Sequence, residues 1–256
     1  MSGISLKAIY ILWLREMKTF YRAKSRIVGT VVTPLFLLAF LGAGFAGAVL
    51  PGIPSSVGYL EYLTPGIIGM TMIFTSMFTG LSVLWDRRYG FLKEIMVTPV
   101  SRMTIVLGRI TGGLTTSMFE GLSILAISLL LGFKVSGIGD LILTLVFMVL
   151  ISVSFIGLGL AIASLLKDEQ GFGLIMNFII SPLLFLSGIF YPIENLPLAL
   201  RVVSYLNPLT YGVDGLRGAL ISVSFLPWII NLVLLTGFCV GIVLLGTFLF
   251  ERNEAV

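Results

Sequence analysis

The chain has 256 residues, of which 57% are hydrophobic and 11% charged, with a formal net charge of +4 and a mean hydropathy of +1.10. Soluble domains carry about 25% charged residues, so a water-covered fold is excluded, and so is disorder, which needs low hydrophobicity and high net charge. Histidine is absent and Cys239 is the only cysteine, which removes imidazole acid–base chemistry, an internal disulfide and a thiolate metal cluster from an integral membrane protein.

In chain order, residues 5–24 read as an amphipathic helix. At 100° per residue, Leu6, Ile9, Tyr10, Trp13, Met17, Phe20 and Tyr21 share one sector, while Lys7, Arg15, Lys18 and Arg22 share an adjacent one. That is the pattern of a helix lying along a membrane surface with its bases toward lipid phosphates. It serves either as a plain anchor or as a mechanical part.

A bilayer core about 30 Å thick needs about 20 apolar residues in helical form. Six charge-poor stretches are long enough: Ile27–Leu50, Leu63–Leu84, Ile110–Phe133, Leu141–Leu166, Phe172–Tyr191 and Leu226–Phe250. A transmembrane barrel would show alternating segments of about ten residues instead. The expectation is a single all-α domain over residues 1–256 with six transmembrane helices. The first stretch starts too late and runs too long for a cleaved signal peptide, and no small-residue cleavage site follows it.

Lysine and arginine set the orientation. Thirteen of the sixteen precede the first span, lie between the second and third, or sit at Lys167 and Arg252; only Lys134, Arg201 and Arg217 fall on the other side. Both termini are therefore expected in the cytoplasm, in the cell membrane. The basic balance belongs to lipid, not to nucleic acid.

Three regions depart from plain spans. The loop from Trp85 to Arg109 mixes charges of both signs with Tyr89, Phe91, Leu92, Ile95 and Met96. Phe91, Leu92 and Ile95 have helical spacing, which suits docking on a cytoplasmic partner through aromatic anchors ringed by charge; a second interfacial helix would look similar. Glu120, ten residues into the third span, is the one charge within the six stretches. An intramembrane carboxyl is by default a functional candidate, although a protonated carboxyl hydrogen-bonded to a neighbouring helix reads the same way. The segment Ser187–Arg217 is too apolar for an exposed loop and too rich in proline for a span. It is expected to form short re-entrant helices, buried in protein or lining a wet cavity. Glu194 and Asn207 are expected to be open to water and Leu216 shielded, and Asp214 and Arg217, three residues apart, are placed to pair. In the fourth span, Gly157 with Ala161 and Gly159 with Ala163 permit close helix packing.

No phosphate-binding G-x-x-x-x-G-K-[ST] loop, G-x-S-x-G elbow or H-E-x-x-H pair occurs in the sequence. Enzymatic activity on this chain alone is not expected, nor is a cofactor or metal. The pattern Asp86-Arg87-Arg88-x-Gly90-x-x-x-Glu94 running on to Thr98-Pro99-Val100-Ser101-Arg102, together with Asn207-Pro208-Leu209-Thr210-Tyr211, Asp214 and Arg217, resembles the transmembrane subunit of type-2 ABC exporters, close to the daunorubicin-resistance branch of permeases. The likeness covers nearly the whole chain; where Arg88 stands the family often has an acidic residue. It implies a homodimer, or a pair of similar permeases, joined to separately encoded ATP-binding cassette subunits that hold ATP and Mg²⁺. It further implies an ATPase-coupling loop containing Asp86, Arg87, Arg88, Tyr89, Phe91, Leu92, Glu94 and Pro99. The outer re-entrant segment would contain Pro192, Glu194, Asn207, Pro208, Tyr211, Asp214 and Arg217. Families of this fold export drugs, lipids, lipo-oligosaccharides or polysaccharides. Spans of Leu, Ile, Val, Phe and Gly favour a hydrophobic or amphipathic cargo. The alternatives are a sugar polymer moved by the same means, an ion-coupled secondary transporter using Glu120, and a channel-forming subunit.

Overall fold

The computed structural model describes residues 5–45, 51–54, 57–91, 100–133, 135, 137–166 and 168–253. Among them the regular structure is helical: α1 (Leu6–Arg22), α2 (Lys24–Gly44), α3 (Tyr59–Phe78), α4 (Leu81–Arg88), α5 (Arg102–Leu130), α6 (Ile138–Leu165), α7 (Glu169–Phe185), α8 (Leu198–Leu206), α9 (Pro208–Ile221) and α10 (Trp228–Asn253). A 3₁₀ turn at Ile193–Asn195 precedes α8.

Among the described residues, four helices are long and apolar enough to cross a membrane: Tyr59–Arg88, which joins α3 to α4, then Arg102–Leu130, Ile138–Leu165 and Trp228–Leu249. Val32–Gly44 and Glu169–Phe185 are apolar but shorter. The predicted first span runs to Leu50, and its last residues lie outside those described. The predicted fifth span stops early, at Phe185. Leu186 caps α7, and Gly188 then takes φ +76°, a left-handed turn that glycine adopts without strain. In the other direction, α5 begins at Arg102, eight residues before the third apolar stretch, because Ser101 caps it by accepting from the Thr104 N–H at 3.3 Å.

α6 is the central post, in contact with α3, α4, α5, α9 and α10. In lipid there is little hydrophobic gain from pairing apolar helices, so close backbone approach has to supply the attraction. The two small-residue pairs of α6 face different partners. Gly159 lies against the Met77 carbonyl, and Gly80 against the Gly159 carbonyl, at the α3–α4 junction. Gly157 faces Val243 on α10, whose Gly246 approaches the Gly157 carbonyl. The core between these contacts is filled by Phe147, Ile151, Phe155, Met72 and Leu63, all fully buried.

α1 rests on α5 through a face that hydrophobic periodicity alone does not select. Gly108 and Gly112, one turn apart on α5, receive Leu12 and Glu16, where a methyl group would come within 2.7 Å of either side chain. Leu6, Tyr10 and Tyr21 from the apolar sector stay exposed.

Candidate functional site

At the α4 end of the bundle, four charges meet on three helices. Asp86, 3% exposed, lies in the last turn of α4. Arg15 of α1 grips it with both terminal nitrogens, Nη1 donating to Oδ2 at 2.9 Å and Nη2 to Oδ1. Arg109 of α5 pairs with the same carboxylate through Nη2. Its Nη1 donates to Glu16 Oε1 at 2.6 Å and to Ser82 Oγ at 3.0 Å. Two arginines and two carboxylates sum to zero, which is how buried charges are tolerated. Burial lowers the Arg15 guanidinium from its ordinary pKa, with Glu16 opposing the shift.

The same guanidinium sits over the Phe91 ring at 4.0 Å, so α1 also touches the loop that leaves α4. Arg87 Nη1 donates to the Leu166 carbonyl at 2.6 Å, and Arg88 Nη1 to Glu169 Oε1 at 2.8 Å. The end of α4 is thus tied to the α6–α7 connection as well. Tyr89 is 78% exposed and precedes Gly90, which turns the chain at φ +77°. Leu92, Glu94 and Pro99 lie outside the described residues.

At the opposite end, α9 is pinned from several sides. Asn207 accepts from the Leu209 N–H at 3.0 Å, capping the helix ahead of Pro208 at its first position, and donates to the Leu183 carbonyl at 2.7 Å. Asn207 is buried, contrary to the expectation of an open position. Tyr211 donates to the Tyr205 carbonyl. Asp214 and Arg217 are committed elsewhere than to each other. Asp214 accepts from the Phe225 and Leu226 N–H groups at 2.7 and 2.9 Å and from Asn231 Nδ2 at 2.8 Å. Arg217 donates to the Gly188 carbonyl at 2.8 Å and lies 3.8 Å over the Tyr62 ring, whose hydroxyl donates to the same carbonyl. Pro192 is buried, whereas Glu194 is exposed beside Gly52.

Midway between the two ends, Thr75 of α3 donates to Glu120 Oε2 in a fully buried setting. Ser76 and Ser152 both donate to Ser117, one turn from Glu120, at 3.2 and 2.9 Å.

The model of the ABC-2 type transporter family matches residues 7–221, a range that takes in both ends of the bundle. The chain belongs to the ABC-2 type transporter family, as a membrane permease. It is 28% identical over 99% of its length to an Escherichia coli protein named inner membrane transport permease YadH, covering 97% of that protein. It is 26% identical, over 83% of its length and 73% of the relative's, to a putative transport permease, ycf38, of Cyanophora paradoxa. A probable multidrug ABC transporter permease of Escherichia coli, YbhR, is 29% identical over 62% of this chain and 43% of its own length.

Within this ABC-2 permease, the described residues singled out from the loop and from the proline-rich segment lie at two ends of one bundle, and Glu120 lies between them. Arg15, Glu16 and Arg109 are the additions at the loop end, and Tyr62 and Asn231 at the other. The only sequence signal for the first group is Glu16, an acid set among the bases of α1. Among the described residues no group of three or more His, Cys, Asp or Glu side chains is placed to hold a metal.

Proposed function

We propose that this permease is the membrane half of an ATP-driven exporter for a hydrophobic or amphipathic cargo. It is one transmembrane domain of six spans (α2, α3 with α4, α5, α6, α7 and α10), with both termini in the cytoplasm. The partners are a second copy of the chain and two separate ATP-binding cassette subunits, which carry ATP and Mg²⁺. Residues Asp86 to Pro99 form the coupling loop, and α8 with α9 dips into the outer leaflet and closes the exit.

The observation that carries this reading is the Asp86 ion network. If ATP is hydrolysed on another chain, force must enter through a cytoplasmic contact and reach the spans. Asp86 joins the loop's first turn to α1 and α5 by charge-assisted bonds, Arg87 joins it to the end of α6, and Arg88 joins it to the start of α7. A push on the loop is therefore a push on three parts of the bundle. The apolar spans and the multidrug name of one relative support an amphipathic cargo over a sugar polymer.

Proteoliposomes containing the permease and a candidate ATP-binding cassette subunit from the same genome provide the test. ATP should drive cargo movement out of the face bearing the subunit, and an imposed pH gradient without ATP should not. Movement driven by the gradient alone would replace this reading with an ion-coupled one.

A further inference from the structure

Beside the ion network lies a cavity of about 220 Å³ at the junction of α1, α3, α4 and α5. Its walls include four aromatic side chains, Phe20, Phe78, Trp85 and Tyr89, and three charged ones, Arg15, Glu16 and Asp86. Trp85 is 39% and Tyr89 78% exposed, so the aromatic wall continues to the protein surface.

The charges in the wall are not equivalent. Asp86 is gripped by both Arg15 and Arg109, and Arg15 spends its two terminal nitrogens on Asp86 and its face on Phe91. Neither offers an unspent charge. Glu16 holds Arg109 through Oε1 alone. No hydrogen bond among the described residues reaches its Oε2, and its side chain is 20% exposed. A carboxylate oxygen left open in an aromatic-walled cavity discriminates by charge. Aromatic faces attract cations and repel anions, and the effect grows as water is excluded. An anion would meet Glu16 with no unspent arginine to offset it.

We propose that this cavity is a binding site for an amphipathic organic cation, with Phe20, Phe78, Trp85 and Tyr89 taking its apolar body and Glu16 Oε2 its charge. The site deepens the export reading, because it names the class of cargo that is loaded next to the loop where ATP hydrolysis would be felt. Occupancy bears on Arg15 and Trp85, both of which adjoin that loop.

The test is a titration of the full-length permease in nanodiscs of zwitterionic lipid. Cationic rhodamine 6G and anionic fluorescein are compared by fluorescence anisotropy, with empty nanodiscs as the baseline. Rhodamine should bind saturably, and Trp85→Leu and Phe20→Leu, neither of which removes a charge of the ion network, should each weaken it about tenfold. Glu16→Gln should weaken rhodamine by a similar factor and leave fluorescein as it was. Rhodamine binding no tighter than to empty discs overturns the proposal. So does binding unchanged in both aromatic variants, or fluorescein bound as tightly as rhodamine. Because no ATP step enters the titration, its failure in a transporter that still exports another cargo overturns the cavity alone. Saturable binding with the expected variant pattern, but no ATP-driven export by the complete transporter, counts against the export reading and leaves the cavity site standing.

Discussion

Glu120 shows what a single residue's surroundings decide. Its oxygen receives the Thr75 hydroxyl, and Ser117 beside it gathers two more hydroxyls from α3 and α6. The cluster stitches three helices together through hydroxyl groups. Glu120→Gln keeps the shape and an accepting oxygen, so transport should stay close to the parent at every pH tested; a pH-dependent loss would show that Glu120 carries a proton in the cycle. Thr75→Val should cost about 1 kcal/mol of stability, the usual scale of an interhelical hydrogen bond in lipid. Arg109 is a different case. Removing it as Arg109→Leu leaves Asp86 with Arg15 alone and Glu16 with no partner, a change worth about 3–5 kcal/mol for a buried pair. Thermal unfolding in detergent should register that loss and show no measurable change for Arg88→Ala, whose ion pair with Glu169 is 68% and 30% exposed. Neither the hub nor its strength was legible in the sequence. Arg15 and Asp86 are 71 positions apart and Glu16 and Arg109 are 93 apart, and Arg109 reads as one more loop base until α5 is seen to start at Arg102.

Elements were more legible than partners, because a membrane leaves the backbone few choices. Twenty apolar residues without charge have to satisfy their own N–H and C=O groups as a helix, and four such helices stand where the hydropathy places them. What hydropathy does not contain is where a helix turns over. The early end of α7 depends on the glycine conformation at Gly188, and the burial of Asn207 depends on a carbonyl from α7 that it caps. Accessibility in the outer segment therefore has a structure-based pattern. In a Cys239→Ser background, single cysteines at Glu194 and Asn195 should react quickly with a water-soluble maleimide. Cysteines at Asn207 and Leu216, 5% and 0% exposed, should react slowly. Uniformly fast labelling would mean an ordinary loop and end the re-entrant proposal. Asn207→Ala removes the cap of α9 and its bond to Leu183 together, and should lower stability by about 1–2 kcal/mol.

At the scale of the whole molecule, the question is how hydrolysis on a separate subunit would reach the α9 end of the bundle. The connection between α6 and α7 is only a few residues long and is already taken up by Arg87 and Arg88. The loop beginning at Tyr89 has the length and the aromatic residues to fill a groove on a partner. Its Phe91 is held under Arg15, and Arg15 holds Asp86, so a partner that grasps the loop also pulls on α1 and α5. An aromatic anchor in such an interface is worth about 2 kcal/mol or more when lost, and a charge left desolvated in its place adds further cost. Phe91→Asp should therefore insert in the membrane normally and keep its permease–permease contact, while losing co-purification of the ATP-binding cassette subunit or its cargo-stimulated hydrolysis. Glu94→Lys should act in the same direction but more mildly, with an effect that fades at high salt, because a rim charge mainly tunes association rate. Full retention of bound ATPase and of transport in Phe91→Asp would remove the loop from the coupling path. α1, already fixed to Asp86 and Arg109, would then be the element through which the partner acts.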